Sequence, residues 1–304
     1  MVQSRNDLDG LATEAGSNAA TEFEKRPTIE LVELMNAGDS TVPDAVAAAA
    51  TSIADAVDAI SAQLRDGGRL VYVGAGSSGR IAALDASECE STFSTAPGIV
   101  VALVAGGESA APLEQEAAED DPEAGARDLS SLGIRPGDSV VGVSASGRTP
   151  YVLGAVTAAS EAGALTACIV SVHDSELAQL TDHEIAVVVG PEFLAGSTRL
   201  KAGTAQKLVL NTLSTLSMIR LGKTYGNLMV DVNATNEKLR ARVRRIVSTA
   251  TSAPPEQVEK ALEAANGDAK VAIVSLLAGL DADAARVRLD DAGGVVSLAV
   301  EEPE

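Results

Sequence analysis

The sequence contains no tryptophan and only three phenylalanines and three tyrosines among its 304 residues. Its core must therefore be built from Ala, Val, Leu and Ile, which suits buried parallel strands flanked by alanine-rich helices. Cysteine is also scarce: Cys89 and Cys168 are the two cysteines of the sequence. Two are too few for a framework of disulfides. The composition indicates a globular protein whose core is aliphatic.

Long apolar runs are missing as well, and acidic residues outnumber basic ones. No apolar run reaches the roughly 18 residues that a membrane-spanning helix needs, and residues 1–10 lack the apolar part of a secretory signal. We therefore expect a cytoplasmic protein that has no membrane partner. The 23 basic and 43 acidic residues give a net charge of −20. This charge disfavours nucleic acid as a partner, and any anionic ligand must be held by local groups.

Five short apolar runs alternate with helical patterns between about residues 43 and 222. Most of them are continuous and not alternating, which is typical of strands covered on both faces. Strands that alternate with helices favour a parallel sheet. The sequence therefore predicts a doubly wound α/β fold with a five-stranded parallel sheet. The predicted strands are Leu70–Val73, Ile99–Val104, Ser139–Val143, Thr166–Val170 and Ile185–Val189.

The remaining sequence is helical in pattern. We predict an N-terminal helical arm at 1–42, an α/β domain at 43–222 and a C-terminal helical region at 223–304. The predicted helices are a short one at 29–35, one at 43–64, a helical stretch over 199–250, and a terminal bundle at 255–265, 268–279 and 282–291.

The segment "VGAGSSGRIAALDASECEST" at 73–92 follows the first predicted strand and contains a G-x-G-x-x-G pattern. This pattern binds dinucleotides when an acidic residue ends the second strand, about 20 residues further on. Here the second strand ends with "ALVAGG", and Ser77 and Ser78 add hydroxyl groups that a pyrophosphate does not require. We therefore expect no nicotinamide cofactor at this loop.

A second loop with serines, "VSASGRTP" at 143–150, follows the third predicted strand. Ser144, Ser146 and Thr149 offer three hydroxyl donors, and the unpaired N–H groups at the start of the next helix attract an anion. Such groups hold a phosphomonoester without lysine. The alternative is that these side chains only cap helices. Two such loops in one parallel sheet favour a phosphate site.

"SASGRT" is similar to the phosphate loop of sugar isomerase (SIS) domains, which bind hexose phosphates. The chain also resembles the N-acetylmuramic acid 6-phosphate etherases over nearly its whole length. It departs from them at Ser77, where Thr is commoner, and at Glu90 and Ser91, which replace a usual pair of prolines. The segments that carry the resemblance are "GAGSSGRIAALDASECEST", "AEDDPEAGARDL", "SASGRTPYVLGAV", "GSTRLKAGTAQKLVLN" and "GNLMVDVNATNEKL".

The resemblance implies an SIS domain at 43–222 that binds a sugar phosphate through both serine loops. It also implies elimination of D-lactate from the substrate and addition of water, which gives N-acetylglucosamine 6-phosphate without a metal or other cofactor. This chemistry needs one proton removed from C2 and one supplied to the departing oxygen. The resemblance points to Glu88 as the acid and to Glu119 as the base, although an acid among acidic neighbours is more often part of a solvated helix face.

Further expectations remain open. SIS-type sites are commonly completed across a two-fold interface, so we expect a homodimer. Lys201 and Lys207 either contact the substrate or have a structural role. Two other functions are compatible with the loops: an SIS-domain aldose–ketose isomerase, and a non-catalytic sugar-phosphate regulator that resembles the glucokinase regulatory proteins. The two glutamates argue against the regulator, and the family-like segments outside the loops argue against the isomerase.

Overall fold

The computed structural model describes residues 22–107, 117–232 and 237–301. These residues form two compact units. The first unit comprises the described residues up to 87 and those from 98 to 214, and the second comprises residues 88–97 and those from 215 onwards. The predicted domain limits at residues 42 and 222 stay a prediction.

A five-stranded parallel sheet forms the centre of the first unit. Its order is β2-β1-β3-β4-β5, with Gly74 of β1 beside Val143 of β3. All residues of β1 and β3 are buried, as the continuous apolar runs predict. The doubly wound fold is confirmed, and its switch point lies between β1 and β3. The strands are β1 Leu70–Gly74, β2 Val100–Val104, β3 Ser139–Val143, β4 Leu165–Val170 and β5 His183–Ala186.

Besides a helical turn at 117–119 and the short 3-10 helices Phe23–Lys25 and Ala178–Leu180, seven α-helices precede, connect or follow these strands within the described residues. The prediction of one helix over 43–64 is wrong, because two helices meet at Ala49, where φ is −91° and ψ is 9°. Neither glycine nor proline marks this break in the sequence. The helices are α1 Thr28–Asp39, α2 Val42–Ala48, α3 Ala50–Arg65, α4 Gly76–Phe93, α5 Pro122–Ser131, α6 Pro150–Glu161 and α7 Lys201–Arg220.

The second unit contains a small helical bundle and a short hairpin. The helical pattern predicted over 199–250 is wrong between residues 221 and 232, where the hairpin lies. Gly222 and Gly226, with φ of +71° and +57°, flank its first strand. The three predicted terminal helices are confirmed. The elements are β6 Thr224–Tyr225, β7 Leu228–Met229, α8 Glu237–Thr251, α9 Pro255–Ala264, α10 Ala269–Ala278, α11 Ala282–Asp291 and α12 Val296–Val300.

Within the described ranges, no single helix is both long and apolar enough to cross a bilayer. A pair of helices bent by 59°, Thr28–Ala48 with Ala50–Arg65, has the necessary length and composition.

Candidate functional site

The loop between β1 and α4 brings the end of a strand against the start of a helix. Helix α4 begins at Gly76, whose φ of +51° favours glycine. A Cβ atom on Gly74 would lie 2.7 Å from the backbone nitrogen of Gly79, and one on Gly79 would lie 2.7 Å from the carbonyl oxygen of Gly74. The three glycines therefore allow close packing of strand and helix. Ser77 and Ser78 lie in the first turn of α4, whose leading N–H groups have no acceptor within the helix.

Glu119 reaches this loop from a helical turn at 117–119 and is half-buried. A Cβ atom placed on Gly76 would lie 3.9 Å from Oε2 of Glu119. Its carboxylate therefore lies beside the first residue of α4, where the helix macrodipole stabilises negative charge. This position differs from that of an acid on a fully solvated helix face, which was the alternative for Glu119.

The second loop, between β3 and α6, is held together by its own hydroxyl groups. Ser144 is only 3% exposed. Its Oγ accepts a hydrogen bond from the N–H of Gly147 at 3.1 Å and pairs with Oγ1 of Thr149 at 2.9 Å. Gly147 has a φ of +64°, and a Cβ atom there would lie 2.4 Å from the side chain of Ser175. The loop conformation therefore depends on both Ser144 and Gly147.

None of the three hydroxyl groups in this loop caps α6. Thr149 occupies the N-cap position, but its side chain makes no capping hydrogen bond there. Oγ of Ser146 accepts a hydrogen bond from the N–H of Arg148 at 3.3 Å, within the loop. Ser146 and Thr149 are both half-buried. The hydroxyl groups form a cluster at the start of the helix, which is the arrangement expected of an anion site.

The two loops are neighbours in the sheet. Gly74 and Val143, the last residues of β1 and β3, are paired in register, and adjacent strands lie about 4.8 Å apart. Both loops therefore start side by side at the carboxyl edge of the sheet, at the switch point where ligands bind in such folds. Glu119 and both serine loops are brought together here.

Glu88 lies in the C-terminal half of α4 and not beside the loop at its start. It is exposed and follows Gly76 by twelve residues in the same helix, which corresponds to about 18 Å along the helix axis. The structure therefore does not bring Glu88 to the loop at the start of its own helix. Glu90 and Ser91 are exposed residues of the last turns of α4; because proline disrupts a helix interior, their presence allows the helix to continue to Phe93.

The lysines at the start of α7 differ in their surroundings. The buried carboxylate of Glu192 accepts hydrogen bonds from the N–H groups of Lys201 at 2.9 Å and Ala202 at 3.0 Å. Nζ of Lys201 donates to the carbonyl oxygen of Val189 at 2.6 Å. Lys201 therefore has a structural role, and the start of α7 already holds an anion of the protein. Lys207 is exposed.

Two residues near the first loop were not singled out from the sequence. Asp85 is buried and accepts hydrogen bonds from the Tyr72 hydroxyl at 3.0 Å and the Ser214 hydroxyl at 3.1 Å, which ties α4 to β1 and α7. Arg80 is exposed, and its Nη2 donates to Oγ of Ser77 at 3.3 Å. A polar residue in the second turn of a helix gives no sequence signal of such a contact, although the Ser-Gly-Arg repeated in both loops could have drawn attention to Arg80.

Comparison with known proteins adds the family. Residues 52–160 match the family model of the glucokinase regulatory protein N-terminal SIS domain, and residues 117–216 match that of the SIS domain. Among solved structures, a phosphoheptose isomerase from Francisella tularensis is 20% identical, with a TM-score of 0.49, and the match covers 62% of this chain and 98% of that one. The phosphoheptose isomerase GmhA of Neisseria gonorrhoeae is 18% identical, with a TM-score of 0.48, over 63% and 98%.

The sequence relatives are far more similar. The N-acetylmuramic acid 6-phosphate etherase of Rubrobacter xylanophilus is 57% identical over 97% of this chain and 97% of that protein. The protein of the same name from Streptomyces avermitilis is 55% identical over 97% and 94%, and that of Mycolicibacterium smegmatis is 52% identical over 97% and 99%. With more than half of the residues identical over nearly the full length of each relative, the chain belongs to the N-acetylmuramic acid 6-phosphate etherase family.

Proposed function

We propose that this protein cleaves the lactyl ether of N-acetylmuramic acid 6-phosphate, and that it releases D-lactate and forms N-acetylglucosamine 6-phosphate. The observation that carries the proposal is the full-length likeness to proteins named for this reaction. The crevice at the switch point supplies a physical basis for it, because it combines an anion site with a carboxylate. Action in the cytoplasm stays a prediction.

The 6-phosphate binds at the loop between β3 and α6 in this proposal. Ser144, Ser146 and Thr149 cluster there, and the first N–H groups of α6 add partial positive charge. The sugar then extends towards the neighbouring loop, where Ser77 and Ser78 line the start of α4. This direction brings the sugar carbons towards Glu119.

The reaction is an elimination followed by an addition. Ring opening exposes the C1 aldehyde, which makes the C2 proton acidic. Glu119 removes that proton while Glu88 protonates the O3 oxygen, the C3–O bond breaks, and lactate leaves a C2=C3 double bond conjugated to the aldehyde. Water then adds at C3 and a proton returns to C2. Overall one water is consumed, and no oxidant or cofactor is needed.

Glu88 acts in this proposal from the partner of a homodimer. It lies too far along α4 to serve the loop of its own chain. Leu84, midway between Arg80 and Glu88 on the same exposed face of the helix, is 58% exposed. Antiparallel packing of two α4 helices around Leu84 would bury this apolar side chain. The two-fold symmetry would also bring Glu88 of the partner subunit to the first turn of α4.

Isotope labelling tests the chemistry. In D2O, the product should carry deuterium at C2, and in water labelled with 18O the label should enter the C3 oxygen of the sugar and not the lactate. Label in the lactate, with C2 unlabelled, would show attack on the lactyl carbon and would contradict both glutamate assignments. A ketose phosphate formed without lactate would instead indicate the isomerase.

Mixed dimers test the shared site. Glu88→Gln and Glu119→Gln should each be inactive alone. If each site takes one glutamate from each chain, an equal mixture of the two variants, unfolded and refolded together, should recover about a quarter of the wild-type activity, since half of the dimers are mixed and have one intact site. The control is each variant refolded by itself. A mixture as inactive as its components would show that both glutamates act from the same chain.

A further inference from the structure

The substrate of the proposed function carries two separate anions. The phosphate is accounted for by the loop between β3 and α6, but the carboxylate of the lactyl group, attached at C3, also has to be bound. The net charge of −20 opposes a second anion, so a local cation is needed close to the reacting carbons.

Arg80 lies where such a cation is required. It opens the second turn of α4, directly after Gly79, and is exposed. Helical side chains lean towards the N-terminus of their helix, and Arg80 does so, since its Nη2 donates to Oγ of Ser77, three residues earlier, at 3.3 Å. The guanidinium group is therefore held over the start of α4, the same end of the helix that Glu119 reaches.

We propose that Arg80 binds the lactyl carboxylate and selects for it. This inference rests on the proposed function. A guanidinium group matches a carboxylate in planar, bidentate geometry, and the contact with Ser77 orients it. Because the carboxylate is fixed beside the C3–O bond, the same contact orients the leaving group for departure. A neutral 3-ether would lack this anchor.

Two other basic residues near the crevice, Arg148 and Lys201, have different surroundings. Arg148 belongs to the loop assigned to the phosphate, and its N–H group contacts Ser146. Lys201 is directed to the carbonyl oxygen of Val189. Arg80, in contrast, is directed towards the start of α4, where the proposed function places the ether.

The test compares two substrates, N-acetylmuramic acid 6-phosphate and its analogue in which the lactyl carboxylate is a neutral carboxamide. Wild-type kcat/KM should favour the carboxylate by about 10- to 100-fold, as expected for a charge-assisted pair. Arg80→Gln should lose most of this preference, with kcat/KM for the carboxamide changed by no more than about threefold. Arg80→Lys, which keeps the charge without the bidentate geometry, should retain part of the preference.

Two further variants are controls. Arg65→Gln alters another exposed arginine, at the end of α3 and so at the amino edge of the sheet, and should match the wild type on both substrates. Arg148→Gln should reduce both activities by the same factor. An equal loss on both substrates in Arg80→Gln, or a loss of preference in Arg148→Gln instead, would overturn the assignment of Arg80. If Arg80→Gln does not fold, the wild type decides: equal kcat/KM values for the carboxylate and the carboxamide substrates would overturn the assignment of Arg80. Absence of lactate release by the wild type would overturn the proposed function itself.

Discussion

Replacement of Ser146 by alanine should weaken phosphate binding and leave the fold unchanged. Among the residues that the structure describes, its hydroxyl makes long contacts within the loop, at 3.3 Å to the N–H of Arg148 and 3.5 Å to Oγ of Ser144. A hydrogen bond to a charged phosphate is worth about 1.5–3 kcal/mol. We therefore expect the Kd for N-acetylglucosamine 6-phosphate to rise about 10- to 150-fold, with the free energy of unfolding changed by less than about 0.5 kcal/mol.

Ser144→Ala should behave differently, because Ser144 is buried and supports the loop. The substitution removes the hydroxyl that pairs with Thr149 and that accepts from the Gly147 N–H group, although this N–H also donates to the carbonyl oxygen of Ser144 at 3.2 Å. Each lost intramolecular hydrogen bond costs about 0.5–1.5 kcal/mol, so this variant should lose both stability and affinity. A double substitution at 144 and 146 would mix the two effects, and the single variants separate them.

Titration calorimetry with N-acetylglucosamine 6-phosphate, and urea unfolding followed by circular dichroism, measure the two quantities. Ser160→Ala is a matched control, since Ser160 is an exposed residue near the other end of α6. It should change neither value. If Ser146→Ala binds the sugar phosphate as tightly as the wild type, the loop is not the phosphate site and the direction assigned to the substrate is wrong.

Three more predictions concern the substrate, the acid stability and the thiols. N-acetylmuramic acid without its phosphate should be turned over at least about 100-fold less efficiently, because the phosphate supplies the binding energy that orients the reacting carbons; comparable kcat/KM values would contradict this. Burial favours the protonated form of Asp138, but hydrogen bonds from the Arg69 side chain and from the N–H groups of Arg135 and Arg69 outweigh it and lower its pKa. This stabilisation is complete above the unfolded value of about 3.9 and is lost as the pH falls through the lower folded value. Asp138→Asn should therefore cost about 3 kcal/mol in urea unfolding at pH 7 and flatten the loss of stability in acid, and an unchanged acid limb would refute the link. Burial raises the pKa of the Cys168 thiol to about 11, with a smaller contribution from Glu184, and Cys89 is buried too. Both thiols of the folded protein should therefore react slowly with a thiol reagent at pH 8. Rapid modification of both cysteines would contradict their buried positions.

The sheet was predictable because its signal is local and strong. A fully buried strand needs a continuous apolar run, and β3 was predicted with its observed limits, Ser139–Val143. The edge strand β5 was placed two to three residues too late, at 185–189 instead of His183–Ala186. One apolar run continues past the paired residues there, and pairing with β4 decides where the strand begins.

The sequence-based predictions are wrong where a long-range contact determines the local structure. The hairpin that follows α7 was covered by a helical pattern, although Gly222 and Gly226 were visible in the sequence. Gly222 is required because a Cβ atom there would lie 2.7 Å from Cγ2 of Val295, a residue 73 positions further along the chain. The contacts of Asp85 with Asn211 and Ser214 likewise join residues more than 120 positions apart.

The glycine pattern that suggested a dinucleotide is explained by packing. Gly74 and Gly79 are in contact across the loop, and Gly76 has a positive φ; each of these needs arises wherever a parallel strand turns tightly into a helix whose first N–H groups face a ligand. The glycines therefore specify the turn and its affinity for anions, and they do not specify which anion binds. That choice belongs to the side chains around the turn, here hydroxyl groups, one carboxylate and one guanidinium group. Those side chains determine whether such a turn binds a nucleotide cofactor or a sugar phosphate.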